Sequence, residues 1–473
     1  MSSPRLTRRH WLAGAACSVP FVWSSRVVGR TRLAPQQVAA FRVDVTPPLG
    51  HPLLGGNFRP AASIGDPLFA HGLVFTGGEK PIAIVTVDWC ELRNESYARW
   101  RTLIADALAT TPENVLVSCV HQHDAPYVDV GAEKLLSAAG ATQRTCDLAF
   151  QESSAQRVAD TAKAALADAV PFTHLGTARA EVDRVASSRR VLKPDGTPYF
   201  GRYSQCRDPK LQEQPAGEID PQLPSLTFYS GDKAVASLRS FAVHPMSPYG
   251  RGIVSADFVG DARARRQRDL PQTVQLYGTG CSGDVTAGKY NDGATGVRAQ
   301  LADRLYDAMV RADKNEQRQA VGEVTARALP IVLPLWDVPE LREAGLLKTM
   351  NDAATPLMPR AMAALGLSSL RFNQARGGGG HHLDLQVVDF GPAQIAVYPA
   401  ESFVSFQLQV QAALDKSTGK NNFVLPLGFG ECAPGYIPTI AVVREGFREE
   451  HGYCWVDDTA ERRIVDGMKK LLI

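Results

Sequence analysis

The chain has no C-x-x-C pair, although it contains eight cysteines. Cys17, Cys90, Cys119, Cys146, Cys206, Cys281, Cys432 and Cys454 are scattered, which argues against a zinc–thiolate cluster. Cys90 and Cys119 end or follow apolar runs and read as small buried hydrophobes. One or two disulfides remain open to an exported chain, but spacing cannot pair them. There is no uninterrupted apolar run of membrane-spanning length. There is no Gly-Lys-Ser/Thr ending of a phosphate-binding loop either. No internal repeat is visible. Charge of one sign is also lacking: 51 basic against 49 acidic residues leave a formal net of +2. That balance, with no basic block, gives nothing for a nucleic acid to hold.

What is present suits a large globular protein. Apolar content of 44% and charged content of 21% over 473 residues are ordinary, and the chain is long enough to bury a substantial core. The first segment, LTRRHWLAGAACSVPFVWSS, has paired arginines, Arg8 and Arg9, ahead of a short, moderately apolar stretch. It reads as an export signal of the twin-arginine type over residues 1–35, which places the mature protein in the periplasm or outside the cell.

Beyond it, KPIAIVTVDWC and NVLVSCVHQH read as buried strands, with a helix between them marked by Tyr97, Trp100, Leu103, Ile104 and Leu108. Strand, helix, strand is a βαβ unit and implies a parallel pair. SLTFYS, AVASLRSFAVHP, TVQLYGTGCSGD, LDLQVVDFG and AQIAVYP add strands. Leu148–Ala169, ATGVRAQLADRLYDAMVRA, AESFVSFQLQVQAALD and the stretch from Val338 to Leu370 add helices. No linker divides them. The expectation is an α/β fold, a large layered mixed β-sheet with flanking helices, as a single catalytic domain over residues 36–473.

Chemistry-bearing residues gather where strands run out. His121 and His123 close the NVLVSCVHQH strand, and would share a face if extended geometry continued. His244 ends SLRSFAVHP, and Glu401 follows AVYP at the expected start of a helix. Ligands collect outside the carboxyl ends of strands in open α/β sheets. Two imidazoles and a carboxylate suit Zn²⁺. Satisfied core histidines and an ordinary first-turn glutamate explain each residue singly, and spacing alone does not show that they meet. YGTGCSGDVTAG reads either as a turn or as backbone kept close to a substrate. Asp257 in SADFVGD reads as a helix cap or first-turn acid. Tyr436 and Tyr453 sit in loops, and His381 and His382 follow a glycine run.

Taken in order, FRVDVTPPLG, DPLFAHGLVF, VTVDWC, VSCVHQHDAP, FAVHP, SADFVGD, GCSGDV, YPAESF and GYIPT resemble the neutral/alkaline, non-lysosomal ceramidase family, over its N-terminal catalytic domain only. The resemblance implies a hydrolase with one Zn²⁺ that cleaves an N-acyl amide bond, in ceramide or a ceramide-like lipid, by a metal-activated water. It places the metal on His121, His244, Glu401 and Tyr436. It places His123, Arg189 and Tyr453 around the reacting amide, with Arg190 an alternative to Arg189. It implies a lipid N-acyl amide as partner, without a transmembrane helix, and leaves contact with a membrane surface and the oligomeric state open. HQHDAP departs from the family's usual H-T-H-S/T-G-P, Ser188 stands where asparagine is common, and Gly280 holds the place of a serine used near the amide. Two other readings stay open: a zinc hydrolase of the same scaffold acting on another ester or amide, and a catalytically silent binding protein.

Overall fold

Three sheets share one apolar interior. Each is mixed, and each contains one parallel strand pair. The computed structural model describes residues 36–142, 144–417 and 423–473, and residues 34–473 form one compact unit. The export-signal expectation lies outside the described residues.

In the first sheet, Ile82–Val87 pairs in parallel with Val115–Cys119 and antiparallel with Phe69–Thr76. Gln37–Asp44 and Val170–Pro171 complete that sheet. In the second, Lys233–Phe241 is parallel to Val274–Thr279, and Gln222–Ser230, His174–Glu181 and Gln317–Ala320 follow antiparallel. In the third, Ala393–Val397 is parallel to Phe423–Leu427, with His381–Asp389 and Thr325–Leu333 beyond. This is the mixed α/β class that the alternation of strands and helices implies.

Period-2 alternation explains why these strands are buried on both faces. In the 82–87 strand, Ile82 and Ile84 point into the shared interior, and Ala83, Val85 and Val87 point to a helical layer. The interior draws Leu73 and Phe75 from the first sheet, Leu226, Phe228 and Leu238 from the second, and Ile395, Val397 and Leu425 from the third. At its centre Phe75 meets Phe172, Phe228 and Phe390 with ring centroids 5.2–5.5 Å apart, in tilted and edge-on arrangements. Helices Asn94–Leu108 and Leu148–Ala165 cover the first sheet's outer face. Asp257–Asp269 and Val297–Lys314 cover the second, and Val404–Ser417 with Ala460–Leu472 the third.

Two expectations change. The 338–370 stretch is not one helix: Glu343–Asn351 and Leu357–Gln374 are separate, broken ahead of Pro356 because a residue preceding proline is pushed out of helical geometry. Glu401 is not in a first helical turn. It forms a two-residue strand, Glu401–Ser402, parallel to Tyr436–Ile437, and the helix begins at Val404. Among the described residues the seven cysteines are free, buried thiols. No helix among them is long and apolar enough to cross a membrane.

Replacing Phe75, 1% exposed, by alanine is expected to lower stability by about 3–5 kcal/mol. Leu192→Ala, at a side chain 52% exposed, should stay within ~0.5 kcal/mol. Urea unfolding of the two variants measures the difference.

Candidate metal centre

The parallel pairs in the three sheets end toward one place, and main-chain bonds tie those ends together. Gly428 N donates to Thr279 O at 2.7 Å, and Cys119 N to Phe429 O at 2.9 Å. Thr279 Oγ1 donates to Val120 O at 2.7 Å, and Ser118 Oγ to Gly428 O at 2.7 Å. Past these ties the backbone turns sharply. His121 (φ 72°), Ala400 (φ 46°) and Phe429 (φ 55°) all lie in left-handed geometry, which L-residues seldom adopt. Such positions cluster at functional sites, where the surroundings enforce them.

The turn at His121 also corrects an expectation. The strand stops at Cys119, so His121 and His123 do not share a strand face. Their rings stand at 87° to each other, with centroids 4.9 Å apart.

The structure brings His121, His244 and Glu401 together. The two Nε2 atoms are 3.2 Å apart, and Glu401 Oε2 lies 3.0 Å from His244 Nε2 and 3.7 Å from His121 Nε2. Both rings are held from behind. His121 Nδ1 meets the Cys90 carbonyl at 2.9 Å, and His244 Nδ1 meets the Ser282 carbonyl at 2.6 Å. A carbonyl only accepts, so each Nδ1 carries the proton and each Nε2 offers a lone pair. Two lone pairs and a carboxylate facing one another at this spacing call for a cation. An ion with tetrahedral ligands at about 2.0–2.1 Å spaces them about 3.3–3.4 Å apart, close to the separations seen. Carbonyl-bound Nδ1 groups are the usual outer support of metal-ligating histidines.

Protonation agrees with this. Burial, with Arg189 nearby, lowers His244 to about 3, so its imidazole is neutral. A second grouping, Cys90 with His121 and His123, fits a metal less well. Burial and neighbouring carboxylates push the Cys90 thiol well up, and His121 Nδ1 is already engaged by the Cys90 carbonyl.

The remaining sequence candidates divide by position. Tyr436 lies in register with Glu401 and accepts from Arg189 Nη1 at 2.6 Å. Arg190 points outward to an ion pair with Glu445, so of the two arginines it is Arg189 that reaches the site. His123 turns Nδ1 to the His121 carbonyl at 3.1 Å, and burial keeps it neutral, its pKa well below the usual value. Tyr453 lies further along the same cavity wall, with its hydroxyl 2.6 Å from that of Tyr127. His381 and His382 sit on a strand of the third sheet, away from this cavity.

Gly283 does keep backbone close, but to Glu401 rather than to a substrate. A Cβ there would lie 2.2 Å from the Glu401 carbonyl oxygen. Asp257 is the first helical residue, and its carboxylate accepts from the Phe258 and Ser247 amides. Asp124, the departure in HQHDAP, accepts from Gly250 N at 2.9 Å and so fastens the loop carrying Tyr249 beside His123.

The cavity above the three ligand atoms has a volume of about 490 Å³. Met358, Pro359, Ala361, Met362 and Leu365 of the 357–374 helix make one wall. Glu91, Tyr127 and Tyr453 make another. Sequence reading passed over Glu91, Arg93 and Tyr127. Their signal was available, since D-W-C-E-L-R places charge directly after a buried strand.

No protein-family model matches the chain, and no curated protein matches it in sequence. Solved structures do match in fold. The crystal structure of neutral ceramidase from Pseudomonas aeruginosa superposes with a TM-score of 0.62 at 17% identity, over 93% of this chain and 74% of that one. A ceramidase complexed with C2 gives 0.64 at 16% identity, over 93% and 75%. The chain therefore has the fold of the neutral ceramidase structures.

His244→Ala should lose bound divalent metal during dialysis that leaves the parent protein loaded, as read by elemental analysis. Gly283→Ala should weaken metal affinity by about 10–100-fold, because the displaced Glu401 backbone misaims the carboxylate.

Proposed function

We propose that this chain is a zinc-dependent hydrolase of the neutral ceramidase family that cleaves the amide of an N-acyl lipid. The observation that carries the reading is the convergence of His121 Nε2, His244 Nε2 and Glu401 Oε2, with both rings pinned through Nδ1, beneath a cavity with an apolar helical wall. The shared fold and the structures named above support it.

His121, His244 and Glu401 would hold the ion, with Tyr436 as the fourth candidate. When bound, zinc polarises a carbonyl and lowers the pKa of water from near 16 to about 7. Neutral His123, its Nδ1 proton committed to a carbonyl, presents Nε2 as an acceptor. It is placed to accept a hydrogen bond beside the reacting amide. Arg189, buried and permanently charged, sits beside Tyr436 and adds positive charge near Glu401. That charge favours negative charge developing on the carbonyl oxygen. The helical wall seats the acyl chain away from water. A cavity of this size, mostly apolar with few polar groups, is typical of a site for one small molecule. We also propose that the first 35 residues direct export, as the paired arginines suggest.

A panel of chromogenic N-acyl amides, acyl esters and phosphate esters tests the reading. Amides should be cleaved, chelation should abolish turnover, and added zinc should restore it. Turnover confined to phosphate esters, or a zinc-loaded protein inert on every acyl substrate, contradicts it. Arg189→Lys should lower kcat by roughly 10²–10³-fold with zinc content unchanged, as for loss of one oxyanion-stabilising group.

A further inference from the structure

The cavity wall beside the apolar helix is built around a buried carboxylate, Glu91. It sits in the two-residue strand Glu91–Leu92, in register with Tyr127, and is 1% exposed. Its Oε2 accepts from Arg93 Nη1 at 2.8 Å and from the Tyr453 hydroxyl at 2.8 Å. Arg93 is fully buried. Its Nη1 and Nη2 also reach the Cys432 and Ala433 carbonyls at 2.8 and 2.7 Å, its Nε lies 3.6 Å from Asp129 Oδ2, and its guanidinium lies 4.8 Å from the Trp455 ring centre. Arg93 and Glu91 are thus locked from behind.

The Tyr453 hydroxyl is enclosed by protein partners: its proton goes to Glu91 Oε2 at 2.8 Å, and Arg93 Nη1 at 2.5 Å and the Tyr127 hydroxyl at 2.6 Å lie against its lone pairs. Glu91 has an oxygen to spare. Among the described residues no protein group bonds its Oε1, and Glu91 lines the cavity. A carboxylate oxygen without a protein donor, in a group held rigid at the cavity wall, asks the occupant for a donor.

We propose that Glu91 is a specificity-determining residue, whose Oε1 accepts a hydrogen bond from an O–H or N–H on the amine half of the substrate, near the scissile amide. The inference rests on the hydrolase reading and refines its substrate class. The amine half is assigned because an acyl chain carries no donor and is suited by the apolar lining from Met358 to Leu365. A substrate lacking the donor would strip water from the carboxylate and return nothing, which is how a site built for a hydrogen bond rejects the analogue without it.

The test uses two amides with the same acyl chain, one of a 2-amino alcohol and one of an alkylamine of equal length. The zinc-loaded parent protein should prefer the first by at least ~10-fold in kcat/KM, as expected for a hydrogen bond to a charged group. In Glu91→Gln, Arg93 and Tyr453 both require an acceptor, so the amide oxygen takes the Oε2 position and the NH₂ turns to the cavity. The ratio should fall to about 1 or below, through KM, with zinc content unchanged. A parent ratio near 1, or a Gln variant keeping a ratio of 10, overturns the proposal. Should the variant not fold, the parent ratio alone decides. If neither amide is cleaved, titration calorimetry of both on the parent protein reads the same preference as Kd. Tenfold tighter binding of the amino-alcohol amide without cleavage would uphold Glu91 and sink the hydrolase reading. Equal Kd values would overturn the Glu91 proposal.

Discussion

The site depends on the stitching of three strand ends that belong to different sheets. Gly428, Thr279, Val120, Cys119 and Phe429 exchange hydrogen bonds at the point where the parallel pairs of the three sheets stop. Parallel strands end on the same side, so each pair delivers its following loops to a common place. His121 follows one pair, His244 and Gly283 a second, Glu401 and Tyr436 the third. Residues 120 to 280 positions apart in sequence meet within 4 Å because the shared phenylalanine-rich interior fixes how the sheets face one another.

Electrostatics follow from that burial. Several full charges are removed from water here, and each is compensated locally. Arg93 is matched by Glu91 and Asp129, Arg263 forms a two-point pair with Asp88, and Arg189 lies beside Tyr436 and Glu401. Deleting one partner of such a pair typically costs about 3–5 kcal/mol, since the other charge is stranded. The two histidines with Glu401 are the exception to pairing within the protein. They offer two lone pairs and a carboxylate to a common point, with no cation among the described residues between them.

The strands and their order were legible because burial on both faces writes continuous apolar runs such as IAIVTV and NVLVSC. The rule that ligands gather at strand carboxyl ends located His121, His244 and Glu401. Side-chain direction was not legible. It is set at His121, Ala400 and Phe429 by left-handed turns that long-range ties enforce, and local spacing carries no trace of them. The same limit hid the break before Pro356, read over as one helix, and the short strand at Glu401, read as a helix start. Glu91 and Arg93 escaped notice because a charged pair in a loop ordinarily faces water. Here the 435–455 segment folds over it, with Tyr453 and Trp455 against the guanidinium, and that closure spans some 360 positions of sequence. Arg189 was separable from Arg190 only once Glu445 was seen to draw Arg190 outward.

The most direct measurement is X-ray absorption at the zinc edge of the purified protein. The account predicts one zinc per chain, with two imidazole nitrogens at about 2.0–2.1 Å and the rest of the shell oxygen. In His244→Ala the imidazole scattering should halve or the metal should be lost. A protein that binds no zinc, or a shell made of thiolate sulfur, would contradict it.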